Sequence, residues 1–395
     1  MKMIKVIDSL RYSDEHAPGN AATLYLIKDC FGDCKINVYF QKNHIDSVSQ
    51  ILEKNKIPLS NFNFKKVYGI SNKGGPFKIL LSYHISLLQD IRLLFLLLDK
   101  SNLIFYISAN PLSIFFIKLV NLILHKNIII LIHGELESLN NENDRDHSFI
   151  SNLFRIWYRI TFWKLLNKKI KYLILGESIV YNLKEIKKKK FPENNFIAID
   201  QPYFYTEGDN QCNNSGKEKK LSVGIVGHAA VAKGSHQIFE LAKLMASEIN
   251  ENKISFRVIG NISDCMMQYK NDLVFINAQN NFMPRNIYEQ EIRSLEYILF
   301  FYPDSMYKYI SSGIFYDAIS FEKPMLAINN NFLEYYFDRY GDIGYLCNNL
   351  NEMCFILKNF DYERYLEQVN NIKIAKKDLS IHKIAKKLYS QIEDK

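Results

Sequence analysis

The sequence predicts an α/β protein built from two Rossmann-like domains, each a parallel sheet covered by helices on both faces. Three observations carry that prediction. The chain has 395 residues, and at roughly 150 residues per domain it holds about two domains. Short apolar runs alternate with longer helical patterns, and the alternation occurs twice. Between the two series lies a polar stretch, residues 206–220, with almost no apolar content.

In the first half the expected strands are 4–7, 36–40, 103–108, 127–132 and 172–175, separated by helical patterns such as 80–98 and 149–166. The alternation restarts with strands at 221–226, 255–259, 273–276, 298–301 and 325–328, and helices at 234–249 and 313–321. The expected organisation is a first domain over 1–204, a linker over 205–220, a second domain over 221–375, and an amphipathic helix over 376–395 that crosses back to the first domain. The most membrane-like stretch, 103–124, holds Asn110, Pro111, Lys118 and Asn121. It reads as a buried strand, a turn and a buried helix rather than a span.

Composition excludes several classes. Apolar residues make up 48% and charged residues 23%, which excludes a disordered or collagen-like chain. The six Cys residues form no CxxC pair, so no zinc site or disulfide framework is expected and a reducing compartment is. The net charge of +8 is local. From Ser151 to Lys190 stand eleven Lys and Arg against two acids, a net +9, so the remainder of the chain sums to −1. This segment reads either as a solvated helix face or as a contact with an anionic membrane surface or a phosphate-bearing acceptor. No nucleic-acid-binding motif accompanies it. The literal Asp144-Arg145-Asp146 lies in a hydrophilic run, so no metal is expected there.

Ligands of parallel sheets bind beyond the carboxyl ends of the strands. The strongest candidate is Gly227-His228-Ala-Ala-Val-Ala-Lys233-Gly234, where a strand runs into a small-residue loop carrying one cation. Loop amides and a helix N-terminus suit phosphate oxygens, and ordinary turn chemistry is the other reading. The second candidate runs from Tyr309 through Ser311-Ser312-Gly313 to Asp317. Its free amides suit a diphosphate and Asp317 suits paired sugar hydroxyls, although Ser is also a good N-cap and Asp is favourable in a first turn.

Together these two segments resemble the donor domain of GT-B glycosyltransferases, in particular the family-four-like group. That group carries Gly-Arg-x5-Lys-Gly wording at the first position, here Gly227-His228 with Lys233-Gly234. It carries Glu, seven residues, Glu-Ala and then Gly-Lys-Pro at the second, here Tyr309, Asp317-Ala318 and Glu322-Lys323-Pro324. His228 replaces the usual Arg, Tyr309 the first Glu and Asp317 the second. The resemblance implies two domains facing each other across a cleft. It implies diphosphate contacts from Lys233, His228, Ser312 and Gly313, and ribose contacts from Asp317. It is similar in position at Asn277 and Arg285, where the donor base docks. In the first half, His133-Gly134-Glu135 ends a strand, and Gly19-Asn20 follows the first strand.

The activity so implied transfers a sugar from a nucleotide-sugar donor to a glycan or lipid-linked saccharide, in polysaccharide or surface-glycan biosynthesis. The nucleotide sugar is a co-substrate; no cofactor or metal is implied. Lys233 and His228 would stabilise the leaving diphosphate. His133, Glu135 and His16 are candidates for the base that takes the acceptor proton. The expected location is cytoplasmic, at the inner face of the membrane. Two rivals share the architecture: a nucleotide-sugar epimerase, and a degenerate partner that binds nucleotide sugar without turnover.

Overall fold

The computed structural model describes residues 3–71, 75–96, 103–139, 149–164, 168–187, 191–206, 220–278, 283–304 and 306–393. The chain forms two compact units. The first comprises Met1–Phe204, Tyr309–Ser311 and Leu379–Lys395; the second comprises Tyr205–Lys308 and Ser312–Asp378. Residues 207–219 of the expected linker, the Asp144-Arg145-Asp146 run, Cys212 and Lys188 to Lys190 lie outside the described residues.

The first unit holds strands β1 (Met3–Asp8), β2 (Lys35–Gln41), β3 (Phe62–Val67), β4 (Leu103–Ser108), β5 (Ile128–Ile132), β6 (Ile170–Leu175) and β7 (Phe196–Ile199). They form one parallel sheet in the order β3-β2-β1-β4-β5-β6-β7. Its apolar runs are continuous because both faces are covered. Alternate residues go to opposite cores. Val6, Phe105, Ile107, Ile129 and Leu131 join one core with α1 (Ala17–Phe31) and α2 (Lys42–Lys54). Ile7, Ile104, Tyr106, Ile128 and Ile130 join the other, beneath α3 (Pro76–Leu96), α4 (Pro111–Leu124) and α5 (Phe149–Trp163). Each fully buried Ile or Leu contributes about 1.5–3 kcal/mol. The stretch 103–124 is β4 followed by α4, and Asn110 accepts from the amides of Leu112 and Ser113 to cap that helix. The basic segment is divided among α5, β6 and α6 (Glu177–Lys187), and Lys184 is paired with Glu193 at 2.6 Å.

The second unit repeats the plan with β8 (Leu221–Ala229), β9 (Ile254–Ile262), β10 (Val274–Ala278), β11 (Tyr297–Phe300), β12 (Met325–Ile328) and β13 (Gly344–Cys347), ordered β10-β9-β8-β11-β12-β13. Its helices are α7 (Gln237–Leu244), α8 (Ala246–Asn250), α9 (Arg285–Arg293), α10 (Gly313–Ser320), α11 (Asn331–Tyr340), α12 (Leu350–Lys358) and α13 (Tyr362–Asp378). The single helix expected over 234–249 is two, and it opens at Gln237 because Gly234 closes the preceding turn in a left-handed conformation. Lys376 still belongs to α13: its amine donates to the carbonyls of Thr206 and Ser320 and to Glu322, each at 2.9 Å. The last helix, α14 (Ile381–Glu393), packs on α1 and β7 of the first unit. Ile384, Ala385 and Leu388 bury its apolar stripe there.

In both sheets the strand order reverses once, between β1 and β4 and between β8 and β11. At such a switch point the loops diverge and leave a crevice beyond the strand ends. The candidate residues gather at these two places.

Candidate functional site

In the second unit, β8 and β11 are neighbours, and the loops beyond them touch. Gly234 has φ +71°, and a Cβ there would stand 2.0 Å from the Phe301 carbonyl oxygen. The glycine is thus demanded by the protein's own second loop. Gly234→Ala combines a left-handed backbone with this clash, so we expect it to cost more than about 2 kcal/mol, read from urea unfolding. Gly227, at φ +82°, is hemmed by Ile314, whose Cδ1 would lie 3.2 Å from an added Cβ. The end of β8, the Lys233 turn and the start of α10 are therefore one constellation.

Lys233 sits at the end of a short 3-10 turn, Val231–Lys233, and is half-buried. No described residue forms an ion pair with it. His228 is exposed, and its Nε2 lies 3.1 Å from the Ser263 hydroxyl. Partial withdrawal from water and then the Lys233 charge hold its pKa below the ordinary imidazole value. Without an added anion, His228 is therefore uncharged at neutral pH, unlike an Arg.

Ser312 precedes α10, but its side chain does not cap the helix. Its fully buried hydroxyl is instead bonded to the Tyr302 hydroxyl at 3.0 Å. The first amides of α10 are left without that internal acceptor. Gly313 is exposed, and a Cβ there would meet nothing within 4 Å. One turn on, Asp317 is held from α9. Tyr288 donates to its Oδ2 at 2.9 Å, and Arg285 Nη2 stands 3.5 Å from its Oδ1. Arg285 also binds Glu289 at 2.8 Å and lies over the Tyr288 ring. Arg285, expected at the donor base, thus orients Asp317. Asp317 is only 8% exposed, and a carboxylate has about four lone-pair sites. Asn277 is on β10, two strands from β8.

Tyr309 and Ser311, expected among these donor groups, belong to the first unit instead. Tyr309 is 2% exposed in the core beneath α3 and α4, and its amide donates to Glu137 at 3.3 Å. The motif spacing put it with Asp317, but a large aromatic ring gains more from core burial than a Glu could. The Ser311 hydroxyl is buried without a hydrogen-bond partner among the described residues.

The first unit assembles a second group beyond β1, β4 and β5. Gly19 and Asn20 lie inside α1 and not in the loop after β1, because Pro18 favours an early helix start. The loop hangs on Asp8, the last residue of β1, which is fully buried. Its Oδ1 accepts the amides of Leu10 and Arg11 at 3.1 and 2.9 Å, and its Oδ2 accepts from Asn20 at 2.7 Å. The other Asn20 amide hydrogen points to His44 Nε2 at 2.8 Å, while His44 Nδ1 donates to the Ser13 carbonyl at 2.7 Å. That carbonyl can only accept, which fixes the ring tautomer. The anchors hold two residues, Ser13 and His16, at φ +53° and +55°. Asp8→Ala would leave two backbone amides and one Asn20 amide hydrogen unpaired, and we expect a loss of about 3 kcal/mol in urea unfolding.

His133 follows β5. Its Nε2 donates to the Ile107 carbonyl at 2.8 Å, so Nδ1 carries the lone pair. Burial lowers its pKa; Glu135, the strongest opposing influence, raises it without reversing the direction. Glu135 accepts the His133 amide at 2.8 Å and so shapes the strand end. The His16 ring lies 5.3 Å from that of His133. Withdrawal of the His16 ring from water, then Arg11, His133 and His44, push its pKa down to about 3. Arg11, Asp8, His44 and Tyr288 were not singled out from sequence. Asp8 carried a signal, a lone acid closing an apolar strand; His44 lies far along the chain and carried none.

Among the described residues no group of three or more His, Cys, Asp or Glu could hold a metal ion, and Cys34, Cys265, Cys347 and Cys354 are free thiols. No helix among the described residues is long and apolar enough to cross a membrane.

No family model matches the chain, and no curated protein matches it in sequence. Solved structures do. Anabaena HepE in complex with UDP-glucose superposes with a TM-score of 0.64 at 12% identity, covering 100% of each chain. WaaG, a glycosyltransferase involved in lipopolysaccharide biosynthesis, gives 0.61 at 10% identity over 98% of each chain. The chain has the GT-B fold. A putative UDP-N-acetylglucosamine 2-epimerase from Listeria monocytogenes gives 0.56 at 10% identity, covering 100% of this chain and 97% of that one. The same fold therefore accommodates both kinds of protein, and the family-four-like grouping has no matching family model behind it.

Proposed function

We propose that this chain is a glycosyltransferase that moves a sugar from a nucleotide-sugar donor to a glycan or lipid-linked saccharide, in polysaccharide or surface-glycan biosynthesis. The second unit binds the nucleotide diphosphate, and the first unit binds the acceptor and supplies the base. One observation carries the reading. The N-terminus of α10 is not capped by Ser312, whose hydroxyl turns to Tyr302, and the Lys233 turn belongs to the same constellation. Free amides beside a fixed ammonium suit a diphosphate. As the glycosidic bond breaks, charge grows on the departing diphosphate, and donors already in place stabilise it without reorganising. Lys233 and the amides of Gly313 and Ile314 take that role, so the reaction runs without a metal. Asp317, oriented by Tyr288 and Arg285, receives the ribose hydroxyls.

His133 is the base. Its Nδ1 takes the acceptor hydroxyl proton while the Ile107 carbonyl holds Nε2–H in place. An acceptor of anionic, lipid-linked chemistry matches the cations between Ser151 and Lys190, with the enzyme working at the cytoplasmic face of the membrane. The neighbouring structure with UDP-glucose makes UDP-sugars the donors to try first.

The test is incubation with radiolabelled UDP-sugars, with and without an undecaprenyl-diphosphate-linked saccharide pool. Release of UDP that depends on the acceptor, with label in the lipid fraction, is expected. A change in the free donor sugar without acceptor would assign the epimerase reading instead. Tight UDP binding with no turnover under either condition would assign the non-catalytic reading, which the uncharged His228 favours.

A further inference from the structure

Two helices of the first unit turn apolar side chains to solvent as well as to the core. α3 buries Leu93 and Leu94, together with the polar Ser82, Ser86 and Asp90, whereas Phe77, Leu81, Leu88 and Phe95 face solvent, with Phe77 77% and Leu88 68% exposed. At about 100° per residue these four fall within roughly 40° of one line along the helix, and His84 and Arg92 lie on the same line. The inward side is fixed by polar bonds. The Ser9 hydroxyl, just beyond β1, donates to Asp90 at 2.6 Å and lies 2.7 Å from the Ser86 hydroxyl. The apolar stripe therefore cannot be turned inward without breaking that buried cluster.

The next helix repeats the pattern. α4 buries Ile114 and Ile117 with the polar Ser113, Lys118 and Asn121, and exposes Phe116, Leu122 and Ile123, the last 80% exposed. Lys118 donates to the carbonyls of Thr161 and Lys164 where α5 ends, and Asn121 binds Lys126 through both its amide and its carbonyl groups. α3 packs beside α4, and α4 beside α5, which exposes Ile156 and Ile160. Soluble chains seldom leave a contiguous apolar face of this kind bare.

Charge selects what covers it. Across α3, α4 and α5 the sequence contains a single acid, Asp90, and that acid is buried. Lys78, Arg92 and Arg159 are exposed on these helices, and Lys164, Lys168 and Lys169 are exposed just beyond α5. A second copy of the chain would set this cationic face against itself. An anionic lipid surface instead accepts apolar side chains at the acyl boundary and cations among its headgroups, at about 1 kcal/mol per cation.

We propose that the outward face of α3 and α4, with the exposed side of α5, seats on an anionic bilayer as an interfacial contact that does not span it. The inference shares Arg159, Lys164, Lys168 and Lys169 with the acceptor contact proposed above but uses none of the residues assigned to nucleotide binding or proton transfer, so it can fail while donor binding and transfer hold, and the reverse.

The test is co-sedimentation of the full chain with vesicles of phosphatidylcholine containing phosphatidylglycerol, and with pure phosphatidylcholine. Two variants accompany it: Leu81→Glu with Leu88→Glu on the stripe, and Phe355→Glu with Ile374→Glu, exposed positions of the second unit. A milder stripe pair, Phe77→Ser with Leu88→Gln, replaces the first should its thermal midpoint fall. Binding to the anionic vesicles alone is expected, weakened about tenfold or more in the stripe variant at unchanged thermal midpoint and unaltered in the other. Equal binding by wild type and stripe variant overturns the proposal, as does absence of vesicle binding. A dimer in sedimentation velocity that the stripe variant dissociates would assign the face to a second copy and also overturn it.

Discussion

His133→Gln is expected to lower kcat by roughly 10²–10⁴-fold, the usual worth of a positioned general base. The expectation rests on one hydrogen bond and one pKa direction. Because Nε2 donates to the Ile107 carbonyl, Nδ1 holds the lone pair. Because burial depresses its pKa, the ring is neutral at pH 7 and ready to accept a proton. Only the neutral form is a base, so activity should persist as pH falls through the ordinary imidazole value of about 6.5 and decline only below it. Gln cannot serve as a base, so the acid limb should disappear along with most of the rate. The decisive readouts are kcat and kcat/KM across pH. An acid limb at or above about 6.5 would remove His133 from the role, as would a variant retaining full kcat.

Lys233→Ala is expected to weaken nucleoside diphosphate binding about ten- to a hundredfold, since a hydrogen bond to a charged group contributes about 1.5–3 kcal/mol. The fold should survive, because Lys233 has no ion-pair partner among the described residues and its loss leaves none of their charges uncompensated. A change within about 0.5 kcal/mol is expected in urea unfolding. The same variant predicts a second signal. Lys233 is one of the two influences that lower the His228 pKa, after partial withdrawal from water. Removing the ammonium should therefore move His228 upward in an NMR titration. Adding diphosphate to the wild type should move it upward as well, because a nearby anion favours the protonated ring. An unmoved His228 in both experiments would separate it from Lys233 and from the anion.

The parts of the fold legible in the sequence were those with strong local patterns. β4 and β12 coincide with the expected segments because each is a short apolar run between clear breaks. The strands not recognised were β3, β7 and β13. β3 interleaves Phe62 and Phe64 with exposed polar residues at one sheet edge, and β7 and β13, at the edges, have only four residues each. β3 is thus diluted with polar residues, whereas β7 (Phe-Ile-Ala-Ile) and β13 (Gly-Tyr-Leu-Cys) are too short to show a pattern. The second-unit constellation was legible because Gly227, Lys233 and Gly234 stand at or just beyond the end of β8 and Gly313 opens a helix after a Ser-Ser turn. The Asp8–Asn20–His44 network was not, since its members come from β1, α1 and α2 and meet only once the sheet is formed. Tyr309 shows the limit of motif spacing: its distance from Asp317 along the chain suits the donor pattern, while the ring lies in the core of the other unit. The exposed apolar faces of α3 and α4 were hidden for a related reason. Periodicity shows which residues share a face, but only the Ser9–Asp90 and Lys118–Thr161 bonds decide which face turns inward.

The central claim is that the uncapped start of α10 and the Lys233 turn bind a nucleoside diphosphate. The most direct measurement is calorimetric titration of the purified chain with UDP, GDP, ADP, CMP and dTDP, with and without magnesium. The wild type is compared with Lys233→Ala and Asp317→Ala. The account predicts one nucleotide bound selectively over the others, with equal affinity whether or not magnesium is present and at least tenfold more weakly in each variant at unchanged thermal midpoint. Absence of binding by every nucleotide, or binding that both variants leave untouched, would contradict it.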